Sequence, residues 1–205
     1  MKKTTGSLIK SSSISIGLAS LLLLSLNGCS NNEQINVASK LTPITAIEKK
    51  DTIDTSTKVL KGFMKTFKPT LKAVLKDMSA PDAIEMCTHN QSVNNYSKTL
   101  PEGITLRRIT SKARNEGHIA KNDLEAKTLI EMDSLKKPII KKVSNNHFQF
   151  YKPLIVKEAC LKCHGSIEQI GENSLGLIKK SYPNDKATGY KVGDVRGVFL
   201  VDIVK

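Results

Sequence analysis

Cys160-Leu161-Lys162-Cys163-His164 sets two thiols three positions apart, with an imidazole directly after the second. Residues of these types at this spacing support three chemistries. The thiols can cycle as a redox dithiol, supply half of a four-ligand zinc site, or, with the histidine, attach a c-type haem. In the third case both thiols form thioethers with the haem vinyl groups. The imidazole then reaches the iron from the proximal side, where an axial ligand tunes the haem. The chain has no second C-x-x-C to complete a four-thiolate zinc site. Haem c is attached outside the cytoplasm, so the reading depends on export.

The N-terminus answers that question. Met1-Lys2-Lys3 is a positive start, and Ile14 to Leu26 is an apolar stretch containing Leu21-Leu22-Leu23-Leu24. The stretch is too short to span a bilayer and its flanks suit a signal peptide. It ends in Leu26-Asn27-Gly28-Cys29. That ending resembles a bacterial lipoprotein signal, which implies cleavage before Cys29 and a lipid on its thiol. Ser30, in place of aspartate, leans towards the outer membrane. The plainer alternative is an ordinary secretory peptide followed by an incidental cysteine. The expected division is a signal peptide over 1–28, a polar tether over 29–42, and one domain over 43–205.

Thirty-two Lys and Arg against nineteen Asp and Glu give a formal net charge of +13. Loss of Lys2, Lys3 and Lys10 with the leader lowers this to +10. For an exported chain, nucleic acid is excluded as a partner. The surplus fits anionic lipid head groups or acidic proteins, or simply a solvated lysine-rich surface.

The elements that must hold the motif can be read from periodicity. Leu60, Phe63, Phe67, Leu71, Val74 and Met78 recur at helical spacing and predict a helix over 47–78. Pro69 should kink or split it. Ser79, with Pro81 in the first turn, predicts a second helix running to about Ser97. Pro101-Glu102-Gly103 reads as a turn and Ile104 to Thr110 as a strand. A helix is expected over 122–134, anchored by Leu124, Leu129 and Met132. A strand should cover 148–156, and another 197–204. The C-x-x-C-H motif should sit on a loop or short turn, with a loop-rich insertion over 171–189. Helices followed by scattered strands predict an α+β domain with an antiparallel sheet. A small all-helical cytochrome c would carry its motif near the start of the domain instead.

Several short motifs fall in a specific order: Ala83-Ile84 with Cys87, Arg108-Ile109-Thr110, Arg114-Asn115, Glu125, and Phe150-Tyr151-Lys152-Pro153-Leu154. Then come Ala159 to Gly165, Ala187-Thr188-Gly189-Tyr190, and Gly193-Asp194-Val195-Arg196-Gly197. From Ala83 onward this order resembles the Tll0287-like family of c-type haem proteins. The resemblance implies a PAS-like antiparallel sheet with long N-terminal helices and one covalent haem c. It also implies an extracytoplasmic setting, often beside sensor proteins. Glu116-Gly117-His118 departs from the proline- and asparagine-containing turn that usually follows Arg-Asn in the family, which leaves the geometry of that loop open.

His164 is the expected proximal ligand. For the opposite face, Cys87 is the one thiol left once Cys29, Cys160 and Cys163 are assigned. It lies three residues after Ile84 and so shares a helical face with it. The family resemblance also places a cysteine ligand there; a buried inert cysteine is the alternative. His89 and Met86 lie off that face. His147, at a strand start, is the reserve ligand, and His118, in a polar loop, is expected to be solvated. Arg196, Arg108 and Arg114 are candidates to pair with the haem propionates. Gly193 and Gly197 beside Arg196 would allow close backbone approach. Tyr151 could hydrogen-bond near the haem or pack at a strand edge.

These residues favour a non-enzymatic haem protein that senses redox state or a small ligand on the periplasmic side of the membrane. The partners would be haem, the membrane through Cys29, and an unknown redox or signalling protein. An electron-transfer cytochrome serving a respiratory partner is the alternative. An enzyme ranks last, because no distal acid–base pair is recognisable. The sensor reading needs a partner for its output, since no transmembrane helix or signalling domain follows the last strand. The N-terminal reading is checked by metabolic labelling with a fatty-acid analogue: the wild type should incorporate it and Cys29→Ala should not. Equal processing of both chains would overturn it.

Overall fold

In the computed structural model, residues 41–77 and 92–205 are described, and all fall within one compact unit. The first element is α1, Ala46–Asp77. Its start is a reciprocal cap: the Glu48 backbone N–H donates to Thr45 Oγ1, and Thr45 N–H donates to the Glu48 carboxylate. Pro69 lies inside α1 without ending or dividing it, so of the expected kink or split the split does not occur. Val59 and Phe63, which dock α1 on the sheet, precede the proline, so that docking does not depend on the backbone bond the proline lacks. Of the second predicted helix, only α2, Ser92–Ser97, lies among the described residues.

The sheet has four strands: β1 Ile104–Ile109, β2 Ile139–Ser144, β3 His147–Ile155 and β4 Val195–Val204. Their order is β1-β4-β3-β2, and every neighbouring pair is antiparallel. The helix α3, Asp123–Leu135, lies between β1 and β2 in sequence and is capped by Asn122. Then α4 (Glu158–His164), α5 (Ile167–Ile170) and α6 (Glu172–Ser181) fill the connection from β3 to β4. The α+β reading with an antiparallel sheet is correct. Two details differ. The C-x-x-C-H motif forms the helix α4 rather than a loop, and the expected loop after Gly171 contains α6.

Strand alternation separates two apolar layers. Leu106, Phe148, Phe150, Phe199, Val201 and Ile203 face α1 and α2 and pack with Val59, Phe63 and Val93. Ile109, Tyr151, Val198 and Leu200 face α3 and pack with Leu129 and Met132. Phe63 sits at the centre of the first layer. Its ring lies 5.2 Å from Phe67, 5.6 Å from Tyr96 and 5.3 Å from Phe199, centroid to centroid. The second layer carries a buried ion pair. Glu125 is almost wholly enclosed, accepts both guanidinium nitrogens of Arg107 on β1, and accepts the backbone N–H of Lys121 at 2.8 Å. That pair fastens α3, and the loop before it, to the sheet.

The strand β2 was not legible beforehand. Its apolar alternation is broken by Lys142, which is buried because its ammonium pairs with Glu48 of α1 at 2.8 Å. A register shift at Lys142/Ser144 further blurs the period.

Phe63→Ala should destabilise the domain by about 3–5 kcal/mol, since it empties the aromatic cluster that joins α1 to β4. Urea unfolding followed by circular dichroism would measure this. A loss within about 1 kcal/mol, typical of surface positions, would show that α1 is not docked through this ring.

Candidate functional site

Three segments converge where β1 ends and β4 begins: the loop after β1 (residues 110–122), α4, and the loop leading into β4 (residues 185–194). The helix α4 is short and has no β-branched residue. Its Lys157 N–H donates to Cys160 Sγ at 3.4 Å, and Leu161 buries its inner face with Val156, Ala187 and Tyr190. Cys160 and Cys163 lie three residues apart and therefore on one side of the helix. Both are partly exposed. Among the described residues no three His, Cys, Asp or Glu side chains converge as a metal-binding group, so the zinc reading finds no partners there.

His164 closes the helix and is held on two sides. Its backbone carbonyl accepts from Tyr190 N–H at 2.9 Å, and the Gly165 carbonyl accepts from Gly189 N–H at 2.7 Å. Its Nδ1 lies 2.7 Å from the Ala187 carbonyl oxygen. A carbonyl can only accept, so Nδ1 carries the proton and Nε2 keeps its lone pair. Arg196 Nε, 3.4 Å from the same Nδ1, is then a close positive neighbour rather than a donor. Burial, reinforced by Arg196 and Arg114, holds the imidazole well below its ordinary pKa and so neutral. Tyr190 stands edge-on to the ring, 6.3 Å between centroids.

Arg196 is buried, and its guanidinium donates to neutral oxygens: Thr110 Oγ1 and the Lys112 carbonyl, each at 3.2 Å. Among the described residues it has no carboxylate partner. Burial, with Arg108 nearby, lowers its pKa to about 10. Gly197 makes the close packing possible. It has φ +144, and a Cβ there would lie 2.6 Å from the Ile109 carbonyl oxygen. Of the two flanking glycines expected to permit close approach, this is the one in contact. At Gly193 a Cβ would meet nothing within 4 Å, although its φ of +91 still favours glycine.

The sequence-predicted residues divide. Arg108 and Arg196 stand close enough to His118 and His164 to depress both imidazoles. Arg114 has another role. Its Nε donates to Asp185 at 3.2 Å and its terminal nitrogen to the Cys163 carbonyl at 2.6 Å, so it braces the motif from the loop after β1. His118, expected in solvent, is half-buried. Desolvation, then Arg108 and Arg196, lower its pKa to about 4. The cause is a 3-10 turn over Glu116–His118, capped by Asn115, whose His118 carbonyl accepts from Thr110 N–H at 2.9 Å. Tyr151 is on an interior strand, not an edge. It is wholly buried in the α3-facing layer, where its hydroxyl donates to Gln149 at 2.6 Å. His147 bonds Asp202 at 2.8 Å at the opposite end of β3 from α4, roughly 26 Å along the strand. Cys87, Ile84, Met86, His89 and Cys29 lie outside the described residues.

Sequence reading placed Thr110 and Ala187 in family motifs without a role and did not single out Asp185. A backbone acceptor such as the Ala187 carbonyl leaves no signature in residue type. Asp185 had one: it is an acid among Lys179, Lys180 and Lys186. Arg114→Ala should cost about 3 kcal/mol, because it leaves Asp185 partly buried without its cation. Asp185→Asn should cost less, since a neutral amide replaces the charge. Urea midpoints of the two variants check the order; equal midpoints with wild type would remove the brace.

The model of the Tll0287-like family, described as Tll0287, matches residues 30–203. Among solved structures, the crystal structure of the cyanobacterial heme-protein Tll0287 superposes with a TM-score of 0.56 at 18% identity, covering 79% of this chain and 98% of that chain. At that identity the likeness concerns the fold. A comparison with curated proteins finds no match. With the family model spanning most of its length, the chain belongs to the Tll0287-like family.

Proposed function

We propose that this chain is a single-haem c-type protein, anchored by lipid on Cys29 to the periplasmic side of a bacterial membrane, that senses redox state or a small ligand. The observation that carries the haem reading is His164: a neutral imidazole whose Nδ1 is committed to the Ala187 carbonyl, next to two partly exposed cysteines on one helix side. That tautomer directs the remaining lone pair to Nε2, as an iron ligand requires. The buried guanidinium of Arg196 has no carboxylate at salt-bridge distance among the described residues, Asp185 acting on it only from farther off, which suits an anionic group such as a haem propionate. The haem-protein named in the structural match supports the same cofactor.

In this reading Cys160 and Cys163 hold the cofactor covalently, His164 is its proximal ligand, and Arg196 and Arg108 face its carboxylates. Bound haem supplies one-electron redox chemistry and an iron site for small ligands. The Ala187 carbonyl keeps the His164 ring oriented and raises its donor strength. Cys87, placed by the family resemblance at the ligand position of the other face, would bind as a thiolate. An anionic donor favours the oxidised state, and protonation to the thiol would release it on reduction. A side chain that leaves on reduction suits a switch. A carrier keeps its coordination unchanged.

The test is spectroscopic. The purified chain should retain haem through acid–acetone extraction, and Cys160→Ala with Cys163→Ala should lose it. Release of haem from the wild type would overturn covalent attachment. Cys87→Ala should raise the reduction potential and open the sixth position of the ferric form, while His147→Ala should leave the spectrum nearly unchanged. The reverse pattern, with coordination constant between oxidation states, would make the chain an electron carrier.

A further inference from the structure

The face of α1 opposite the core carries Lys58, Lys61, Lys65, Lys68, Lys72 and Lys76. Their spacings are three or four residues throughout, so they form one stripe about 27 Å long. All six are exposed. Val59 and Phe63, which dock the helix, point the other way by the 3.6-residue period. No acidic residue occurs between Asp54 and Asp77 in the sequence. Among the described residues none of the six has an acidic ion-pair partner. Lysines elsewhere on and around α1 do: Lys50 pairs with Asp54 at 2.6 Å, Lys142 with Glu48 at 2.8 Å, and Lys205 with Asp51. A solvated helix face ordinarily interleaves opposite charges at i, i+4. Here Lys61 with Lys65, Lys68 with Lys72, and Lys72 with Lys76 are like-charged at that spacing, which disfavours the helix unless an anionic surface faces it.

We infer that this lysine face of α1 docks the protein against an anionic phospholipid bilayer. Among the described side chains from Lys58 to Lys76 the stripe shows no exposed aromatic or large apolar anchor, whereas protein interfaces are centred on such anchors. A head-group layer needs only charge in a line, and the exposed Ile47, on the same side about three turns before Lys58, lies outside that line. The geometry agrees with the reading of Cys29 as a lipid-bearing residue, because only residues 30–45 separate that cysteine from α1. It does not depend on that reading.

Co-sedimentation of the full-length protein with phosphatidylcholine vesicles, with and without phosphatidylglycerol, tests the inference. A lipid on Cys29 contributes equally to both vesicle types, and any charge from Lys2, Lys3 and Lys10 of a retained leader is shared by the wild type and both variants below, so the comparison among them isolates the α1 lysines. Binding should rise with phosphatidylglycerol and fall back to the neutral-vesicle level near 1 M salt. The triple variant Lys58→Gln, Lys65→Gln, Lys72→Gln should reduce the anionic partition about a hundredfold, at roughly fivefold per lysine. Lys121→Gln, Lys127→Gln, Lys137→Gln removes the same charge from other exposed positions and should retain most of the preference. Circular dichroism confirms that both variants fold. Equal loss in the two variants would reduce the effect to net charge and overturn the inference. So would wild-type indifference to phosphatidylglycerol combined with salt-sensitive binding to poly-glutamate, which would point instead to an acidic protein partner.

Discussion

The hydrogen bond from His164 Nδ1 to the Ala187 carbonyl is the constraint around which the site is arranged. It fixes which nitrogen carries the proton and which way the ring faces. The bond exists because the segment 187–190 is pinned along the end of α4 by two backbone bonds, Gly189 to Gly165 and Tyr190 to His164. That segment is tied in turn to the loop after β1 through Lys186 N–H to the Ala113 carbonyl and through Lys112 to the Thr188 carbonyl. Each tie is weak alone. Together they leave the imidazole little freedom to rotate, and burial keeps it neutral.

The sheet supplies the frame for this arrangement. The strand β4 is paired on both sides, buried on both faces, and delivers Arg196 at its start. The close approach of Gly197 to the end of β1 brings Thr110 within reach of that guanidinium, and the Thr110 N–H sets its loop's register by donating to the His118 carbonyl. Glu125 holds the other end of the same loop through Arg107 and Lys121. The site is therefore made of irregular segments whose two ends are each fastened to a strand.

Sequence period revealed α1, α3 and β1, and the apolar runs of β3 and β4 showed as strands although consecutive residues there are buried. It failed for β2, where Lys142 occupies an inward position and owes its burial to Glu48, 94 residues away in the chain. It failed for α4, whose seven residues are too few to show a period, and for α6, where Ser, Gly and Lys interrupt the apolar positions. Of the site, the thiols and His164 were legible because their chemistry demands those residue types. The division of labour among the arginines was not. Arg114 and Arg196 look alike in sequence, and only the position of Asp185 makes one a brace and leaves the other to face His164. His118 was misjudged because its loop is polar by composition yet lies against two guanidinium groups.

The order of these pieces along the chain also constrains how the protein can be made. The central strand β4 follows the Cys160–His164 segment in sequence, and β1 cannot pair with β3 in its absence. During synthesis the two thiols therefore emerge while the sheet is still open, and the segment that will later grip His164 has not yet arrived. The arrival of β4 completes the sheet and brings that segment against the end of α4.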